Sequence, residues 1–337
     1  MKILIIANIR SQQGGITTQV LELNESLLKE GYETKIVSTH GSHTERFSSL
    51  FKAIKESFNC SVILGVGCAY YGIIPMLVSS LVSLISGKPV IYNFHDGQVE
   101  EFLKKYSGLL KLFFGRDKII VATSFLGKSF GKYGFNSEII NNHLNEVGLK
   151  VNSSSVSGKK VIWARSFEEL YRPDIALEAA KRTVNVCNAE FHFYGGGSLR
   201  DYYRSLYGSI RGIYFHDFVK REVLLEEYGK YDIFLNTSDY DNFPMSIVEA
   251  GMNGLQVLTS NAGGIASIYT GDEVTFFFKG NLDDCTERLN ALLSDPGFYE
   301  YKKINLQEKI KGFTWESVRD NWISVFEGAV SKTQSMN

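Results

Sequence analysis

One pattern organises the whole chain: a short apolar run, then a stretch with helical spacing, repeated in two series. The first series holds KILIIA (2–7), TKIVST (34–39), SVILGV (61–66), PVIYNF (89–94), KIIVAT (118–123) and SEIIN (137–141). Most of these runs do not alternate strictly, which fits strands buried on both faces of a parallel sheet. Between the first two, Val20, Leu23, Leu27 and Leu28 recur at helical spacing, and Gly31 stops the helix. The pattern breaks at LKVNSSSVSGKK (149–160), whose polar, Ser-rich composition marks a linker. A second series follows: KVIWAR (160–165), EFHFYG (190–195), GIYFHD (212–217), DIFLNT (232–237), LQVLTS (255–260) and VTFFFK (274–279). Two such series predict an α/β chain of two Rossmann-like, doubly wound domains, spanning 1–152 and 153–313. The tail, 314–337, reads as a helix with Trp315, Val318, Trp322, Val325 and Phe326 on one stripe and Thr314 suited to its N-cap.

Composition narrows the class. The chain has 337 residues, 44% of them hydrophobic and 22% charged, enough for two domains with real cores. A formal net charge of -1 gives no general pull toward nucleic acid. Cys60, Cys68, Cys187 and Cys285 show no metal-ligand spacing and read as mostly buried, reduced thiols of a cytosolic protein. MKILIIANIRS lacks the long apolar region and cleavage site of a signal peptide and reads as a first strand. The longest apolar stretch, Gly72 to Gly87, is shorter than the ~20 residues a bilayer span needs and reads as a core-facing helix.

In open α/β sheets, ligands bind beyond the carboxyl ends of the strands, so the loops after strands hold the candidate chemistry. After DIFLNT comes DNFPMSIVEAGMNG (241–254). Pro244 suits the first position of a helix, Asp241 or Asn242 could cap it, and Gly254 suits its end. Glu249 then lies about one and a half turns into the helix. Carboxylates only accept hydrogen bonds, so Asp241 and Glu249 suit a polyhydroxyl ligand such as a sugar or ribose. An acid beside a helix N-terminus also satisfies the dipole with no ligand at all. Arg165, at the end of KVIWAR, suits a diphosphate, because a guanidinium forks onto phosphate oxygens. Gly14 and Gly15 let the backbone approach a phosphate after the first strand, and no GxGxxG dinucleotide motif is present. His95 and Asp96 end the fourth strand, the GGG at 195–197 follows EFHFYG, and Gly263 and Gly264 open the helix after LQVLTS. The adjacent acids of NLDDCT (281–286) read as a surface helix start, and no acid pair at a strand end calls for a metal.

NTSDYDNFPMSIVEAGMNGLQVLTSNAGGI resembles the signature of retaining glycosyltransferases of the GT-B fold, glycosyltransferase family 4 in particular. The match is an acid, seven residues, a Glu, a small-residue stretch, an apolar strand and a Gly-Gly turn. The resemblance covers nearly the whole chain. It implies two domains facing a cleft, with the first binding the acceptor, the second binding the donor, and the tail helix crossing back to the first. It implies that Glu249 holds the ribose hydroxyls of a nucleotide. Asp241 stands where the family usually has Glu, against hydroxyls of the donor sugar. The backbone of Asn242, Phe243 and Met245 would lie near sugar and phosphates, while Pro244 has no N–H to give. Arg165 resembles the family's diphosphate Arg, and Arg172 stands nearest its usual Lys. The loop of Gly14 and Gly15 would cover the diphosphate, His95 would face the sugar, and Gly196, His216 and Val219 would lie near the base.

The implied reaction moves a sugar from a UDP- or GDP-sugar to a hydroxyl with retention, by front-face substitution and without an obligatory metal or other cofactor. The implied setting is bacterial polysaccharide or glycolipid synthesis in the cytoplasm. The acceptor is a saccharide or lipid-linked saccharide, and nucleic acid is not a partner. Residues 100–118 place Phe102, Tyr106, Leu109, Leu110 and Phe113 on one helical face beside Lys104, Lys105, Lys111, Arg116 and Lys118. That pattern suits a core-facing helix, or peripheral contact with the inner face of an anionic membrane. Two other readings stay open: an idle sugar-nucleotide binding subunit, and a GT-B enzyme of different chemistry such as an epimerase or phosphorylase.

Overall fold

A computed structural model describes residues 1–9, 15–96, 98–114, 118–145 and 159–334. Gly14 and the linker segment as far as residue 158 lie outside the described residues. The chain divides into two compact units, Met1–Glu146 with Phe313–Asn337, and Val147–Gly312.

The first unit holds β1 (Lys2–Ala7), β2 (Glu33–Ser38), β3 (Val62–Gly67), β4 (Val90–Phe94), β5 (Lys118–Val121) and β6 (Ser137–Ile139). They form one parallel sheet in the order β2-β1-β3-β4-β5-β6. All residues of β3 and β4 are buried, as their unbroken apolar runs require of strands covered on both faces. On one face Val20, Leu23 and Leu27 of the helix Gly15–Lys29 pack with Ile3, Ile5 and Leu64. The tail helix Trp315–Gln334 joins that same core through Trp315, Val318, Trp322, Val325 and Phe326. Its start is tied down as well. The Trp315 indole N–H donates to Glu30 at 3.0 Å, and the Leu144 N–H donates to the Phe313 carbonyl at 3.0 Å.

The other face carries the helices His43–Ser57, Ile74–Ser86, Val99–Phe114 and Ser124–Lys132. The apolar face expected on residues 100–118 splits. Phe102 and Leu110 are buried in the core, whereas Leu109, Phe113 and the off-face Leu112 (80% exposed) lie outward. In Ile74–Ser86, expected to face the core, Met76 and Val82 are buried but Leu84 is 83% exposed. A helix buries one stripe, and these two are apolar beyond it. Among the described residues no helix is long and apolar enough to cross a membrane. The four cysteines are free thiols, and all but Cys68 are buried.

The second unit holds β7 (Lys160–Ala164), β8 (Glu190–Tyr194), β9 (Ile213–His216), β10 (Ile233–Asn236), β11 (Gln256–Ser260) and β12 (Thr275–Phe277). Its parallel sheet runs β12-β11-β10-β7-β8-β9. The chain moves outward from β7 in one direction and resumes beside β7 at β10 in the other. The β7–β10 boundary is therefore the point where a doubly wound sheet opens a crevice at its carboxyl end.

The helix expected from Pro244 to Asn253 spans Met245–Met252. Pro244 is its N-cap rather than its first turn, with φ -71 and ψ 103, and no side chain caps it. Asp241 does not serve as the cap because its carboxylate is engaged by Arg165. The helix ends as expected, with Gly254 at φ +73 and the Leu255 N–H returning to the Ala250 carbonyl at 3.1 Å.

Candidate functional site

Arg165 leaves the end of β7, and residues 237–244 leave the end of β10, so both loops emerge at the switch point of the second sheet. The guanidinium of Arg165 is fully organised there. Its Nε donates to Asn236 Oδ1 at 3.1 Å, and Nη2 donates to Ser238 Oγ at 3.3 Å and to the Asp241 carboxylate. Tyr171 lies across it, with the ring centroid 4.9 Å from Cζ. Both members of the Arg165–Asp241 pair are about one-seventh exposed, at 13% and 14%. Burial raises the Asp241 carboxyl, and the Arg165 charge opposes that shift.

Arg172 sits one short turn further on, in the left-handed region at φ 49. It grips Asp174 with two nitrogens, Nε to Oδ1 at 2.9 Å and Nη2 to Oδ2 at 2.7 Å, and reaches Asp239 from Nη1 at 3.1 Å. Hydrogen bonds to Asp174 and then Asp239 raise its pKa further. The loops are also joined by backbone: the Thr237 hydroxyl donates to the Tyr171 and Arg172 carbonyls, and the Asp239 N–H to the Leu170 carbonyl. The structure thus brings Arg165, Arg172 and Asp241 together, each arginine held by a carboxylate.

Two glycine turns press against these loops. A Cβ on Gly195, at φ +137, would run into the Arg165 carbonyl, so that close approach needs glycine. The next carbonyl, of Gly196, accepts from the Phe167 N–H at 2.7 Å and the Ser166 hydroxyl at 3.2 Å. The Gly263–Gly264 turn lies on the acid loop, with the Gly264 N–H donating to the Asp241 carbonyl at 2.9 Å. A Cβ on either glycine would strike the backbone of Asp241 or Asn242. Asn242, Phe243 and Met245 are buried. Ser246, in the first turn of Met245–Met252, has a buried hydroxyl with no hydrogen-bond partner among the described residues.

Glu249 is buried on that helix, and the Arg221 Nε donates to its Oε1 at 2.6 Å. Val219 is half-buried in the segment just before Arg221. His216, ending β9, stacks on Tyr194 at 4.2 Å between ring centroids and hydrogen-bonds His192 at 2.9 Å between Nε2 and Nδ1.

In the first unit, Gly15 opens the helix after β1. His95 follows β4, its N–H donating to the Gly67 carbonyl at 2.8 Å. Its ring is buried, and Nε2 has no partner among the described residues. Burial alone lowers its pKa to about 4, so the imidazole is neutral at pH 7. Asp96 is a turn-former here, accepting from the Ala69 and Gln98 N–H groups at 2.8 Å each.

Sequence reasoning missed Asn236, Ser238, Arg221, Ser246 and Tyr228. Asn236 and Ser238 flank the end of a recognised strand, and a polar pair there was a readable signal. Arg221 and Tyr228 carried none, because their place beside Glu249 depends on how two helices pack. Among the described residues no group of three or more His, Cys, Asp or Glu side chains is placed to hold a metal ion.

Two doubly wound parallel sheets of six strands are the architecture of the GT-B fold of glycosyltransferases. Residues 149–310 match the family described as Glycosyl transferases group 1. An uncharacterized glycosyltransferase of Methanocaldococcus jannaschii is 26% identical over 160 residues, which are 46% of this chain and 41% of that protein. The chain therefore spans about two fifths of the length of that curated relative. HepE of Anabaena, solved with UDP and glucose, superposes with a TM-score of 0.78 at 15% identity, covering 97% of this chain and 100% of that one. Sucrose-phosphate synthase of Thermosynechococcus elongatus reaches 0.80 at 13% identity, covering 98% and 99%. The family match covers the second unit, and the likeness in fold to the solved structures covers nearly the whole chain.

Proposed function

We propose that the chain is a retaining glycosyltransferase of family 4 type. It moves a sugar from a UDP- or GDP-sugar to a hydroxyl of a saccharide or lipid-linked saccharide, in bacterial polysaccharide or glycolipid synthesis. The observation that carries this is Arg165, held at the switch point by Asn236, Ser238 and Asp241 with Arg172 alongside. The second unit takes the donor, and the UDP and glucose named with HepE support a UDP-sugar. A diphosphate replaces Asp241 as the partner of Arg165, and the released carboxylate accepts from sugar hydroxyls. Asn242, Phe243 and Met245 line the sugar and phosphates through their backbone, and Gly196 and Val219 lie by the base. The first unit takes the acceptor. It offers the loop of Gly14 and Gly15 and the neutral His95.

In the reaction, the bond from the anomeric carbon to the diphosphate oxygen breaks and its electron pair leaves with the diphosphate. The acceptor oxygen bonds the same face of that carbon, and its proton passes to a departing phosphate oxygen. Arg165 and Arg172 stabilise the charge that develops, so no metal is required of the mechanism.

Calorimetric titration with UDP, GDP and ADP, with and without EDTA, tests the reading. One nucleoside diphosphate should bind at micromolar level regardless of EDTA. Glu249→Ala should weaken it roughly 10- to 100-fold, the worth of hydrogen bonds to a charged group. Binding of none of the three would remove the donor-site assignment.

We also propose that the first unit meets an anionic bilayer from the cytoplasmic side. Leu109, Leu112 and Phe113 lie exposed on one helix with exposed Lys104, Lys105 and Lys111. Lysines near such a surface contribute about 1 kcal/mol each. Co-sedimentation should favour vesicles containing anionic phospholipid over zwitterionic ones by tenfold or more, and Leu112→Glu should reduce it. Equal sedimentation with both would sink this part.

A further inference from the structure

The turn after β3 leaves little room for movement. The Cys68 N–H donates to the Gly72 carbonyl at 3.0 Å, and the Gly72 N–H returns to the Ala69 carbonyl at 3.0 Å. A Cβ on Gly67 would run into the Gly72 carbonyl oxygen and the Met76 side chain, and one on Gly72 into Cys68 Sγ. The turn is also tied to the end of β4. The Ala69 N–H donates to Asp96 Oδ2, and the His95 N–H to the Gly67 carbonyl, each at 2.8 Å. Residues 68–73 and His95 therefore stand side by side at the carboxyl end of the first sheet, where open α/β sheets take their ligands.

Two consecutive tyrosines occupy this turn in opposite settings. Tyr70 has φ 54, in the left-handed region. A bulky side chain there is strained, and such strain persists only where the surroundings over-determine it. One of those surroundings is Phe102, whose ring meets that of Tyr70 nearly edge-on at 5.6 Å between centroids. Tyr71, the next residue, is 89% exposed. An exposed ring adds little to folding, whereas the strained residue before it costs stability. What the arrangement does accomplish is to fix the direction of the exposed ring before any ligand arrives.

We propose that Tyr71 recognises the acceptor by stacking on a pyranose ring, a role that rests on the reading that the first unit takes the acceptor. A pyranose carries hydroxyls around its edge, and on one face several C–H bonds point the same way. Those electron-poor hydrogens fit the electron-rich face of a phenol. Stacking reads the shape of the ring and leaves its hydroxyls to meet polar groups. Small-molecule sites pair such an aromatic platform with a few polar side chains, and the adjoining loop carries His95. Because the turn is held in one shape, little ordering cost falls on the ring when the sugar binds.

The experiment is an NMR titration of the full chain, with isotope-labelled tyrosine rings, in the presence of UDP. The probes are methyl α-glucoside, methyl β-galactoside and glycerol, a polyol without a ring. Tyr71→Phe identifies the Tyr71 signal. At least one pyranoside should shift that signal and saturate at millimolar concentration, and glycerol should leave it in place. Saturation transfer to the sugar protons then ranks the variants. Tyr71→Ala should bind the pyranoside roughly three- to tenfold more weakly, the worth of an aromatic contact, with UDP affinity and melting temperature unchanged. Tyr71→Phe and Tyr71→Trp, which keep an aromatic face, should bind it about as well as wild type. A pyranoside that binds the alanine variant as well as wild type, or a Tyr71 signal that does not move, overturns the inference and leaves the acceptor reading standing. If neither pyranoside binds the wild type, the acceptor reading and the inference fall together.

Discussion

Arg165→Ala is expected to lower sugar transfer by about 10²- to 10³-fold, the usual cost of removing one preorganised donor from developing charge. The reason is visible in its surroundings: three acceptors hold the guanidinium in one orientation before any ligand arrives. Lysine should not restore activity, because a single ammonium cannot engage Asn236, Ser238 and Asp241 in that fork. The variant should also be less stable. Removing one partner of a buried ion pair leaves the other charge unpaired, at a cost of roughly 3–5 kcal/mol. Activity and stability can be separated with the double variant Arg165→Ala, Asp241→Asn. It should regain much of the stability and none of the transfer. A turnover assay paired with thermal melts reads both, and an alanine variant that keeps near wild-type turnover would end the diphosphate role.

Trp322→Ala is expected to cost the first unit roughly 3–5 kcal/mol, in the range for large aromatic truncations in cores. Trp322 is buried among residues from β1, β3 and the helix Gly15–Lys29, and it stacks on Phe326 with ring centroids 5.6 Å apart. It belongs to the last segment of the chain yet closes a core begun by the first strand. For a unit of this size, each kcal/mol lowers the melting temperature by about 2–4 °C, so a fall of roughly 6–20 °C is expected by calorimetry. Trp322→Phe keeps most of the ring volume and should lose far less. A loss under about 1 kcal/mol for the alanine variant would show that the tail helix is an ornament on a core complete without it.

Much of the fold was legible because parallel strands buried on both faces must be apolar throughout, and such runs stand out in any sequence. Each expected run overlaps an observed strand, with ends shifted by no more than two residues. The helix Met245–Met252 shows where local reasoning stops. Pro244 suits either the cap or the first turn, and the choice went to the cap while Asp241 was drawn to Arg165, 76 positions away in the chain. The outward set of Leu84 and Leu112 was illegible for a related reason. Periodicity identifies an apolar helix, but which of its apolar residues meet a neighbour depends on how much of the face that neighbour covers.

Local rules alone specify two doubly wound sheets, the stripe of the tail helix, the strand-end loops that bear Arg165, Arg172 and Asp241, and the helix that bears Glu249. These follow from local rules: burial sets the composition of strands, and sheet topology puts ligand-binding loops at their carboxyl ends. Most of the partners were chosen by assembly of the sheet. It paired Arg165 with Asp241, Arg172 with Asp239, and Arg221 with Glu249, whereas Asp174 is a near neighbour of Arg172 in the chain. It also buried His95 with one ring nitrogen that has no partner among the described residues. An ion pair or a buried ring forms between groups that are close in space, and closeness between segments from different strands exists only once the sheet has assembled.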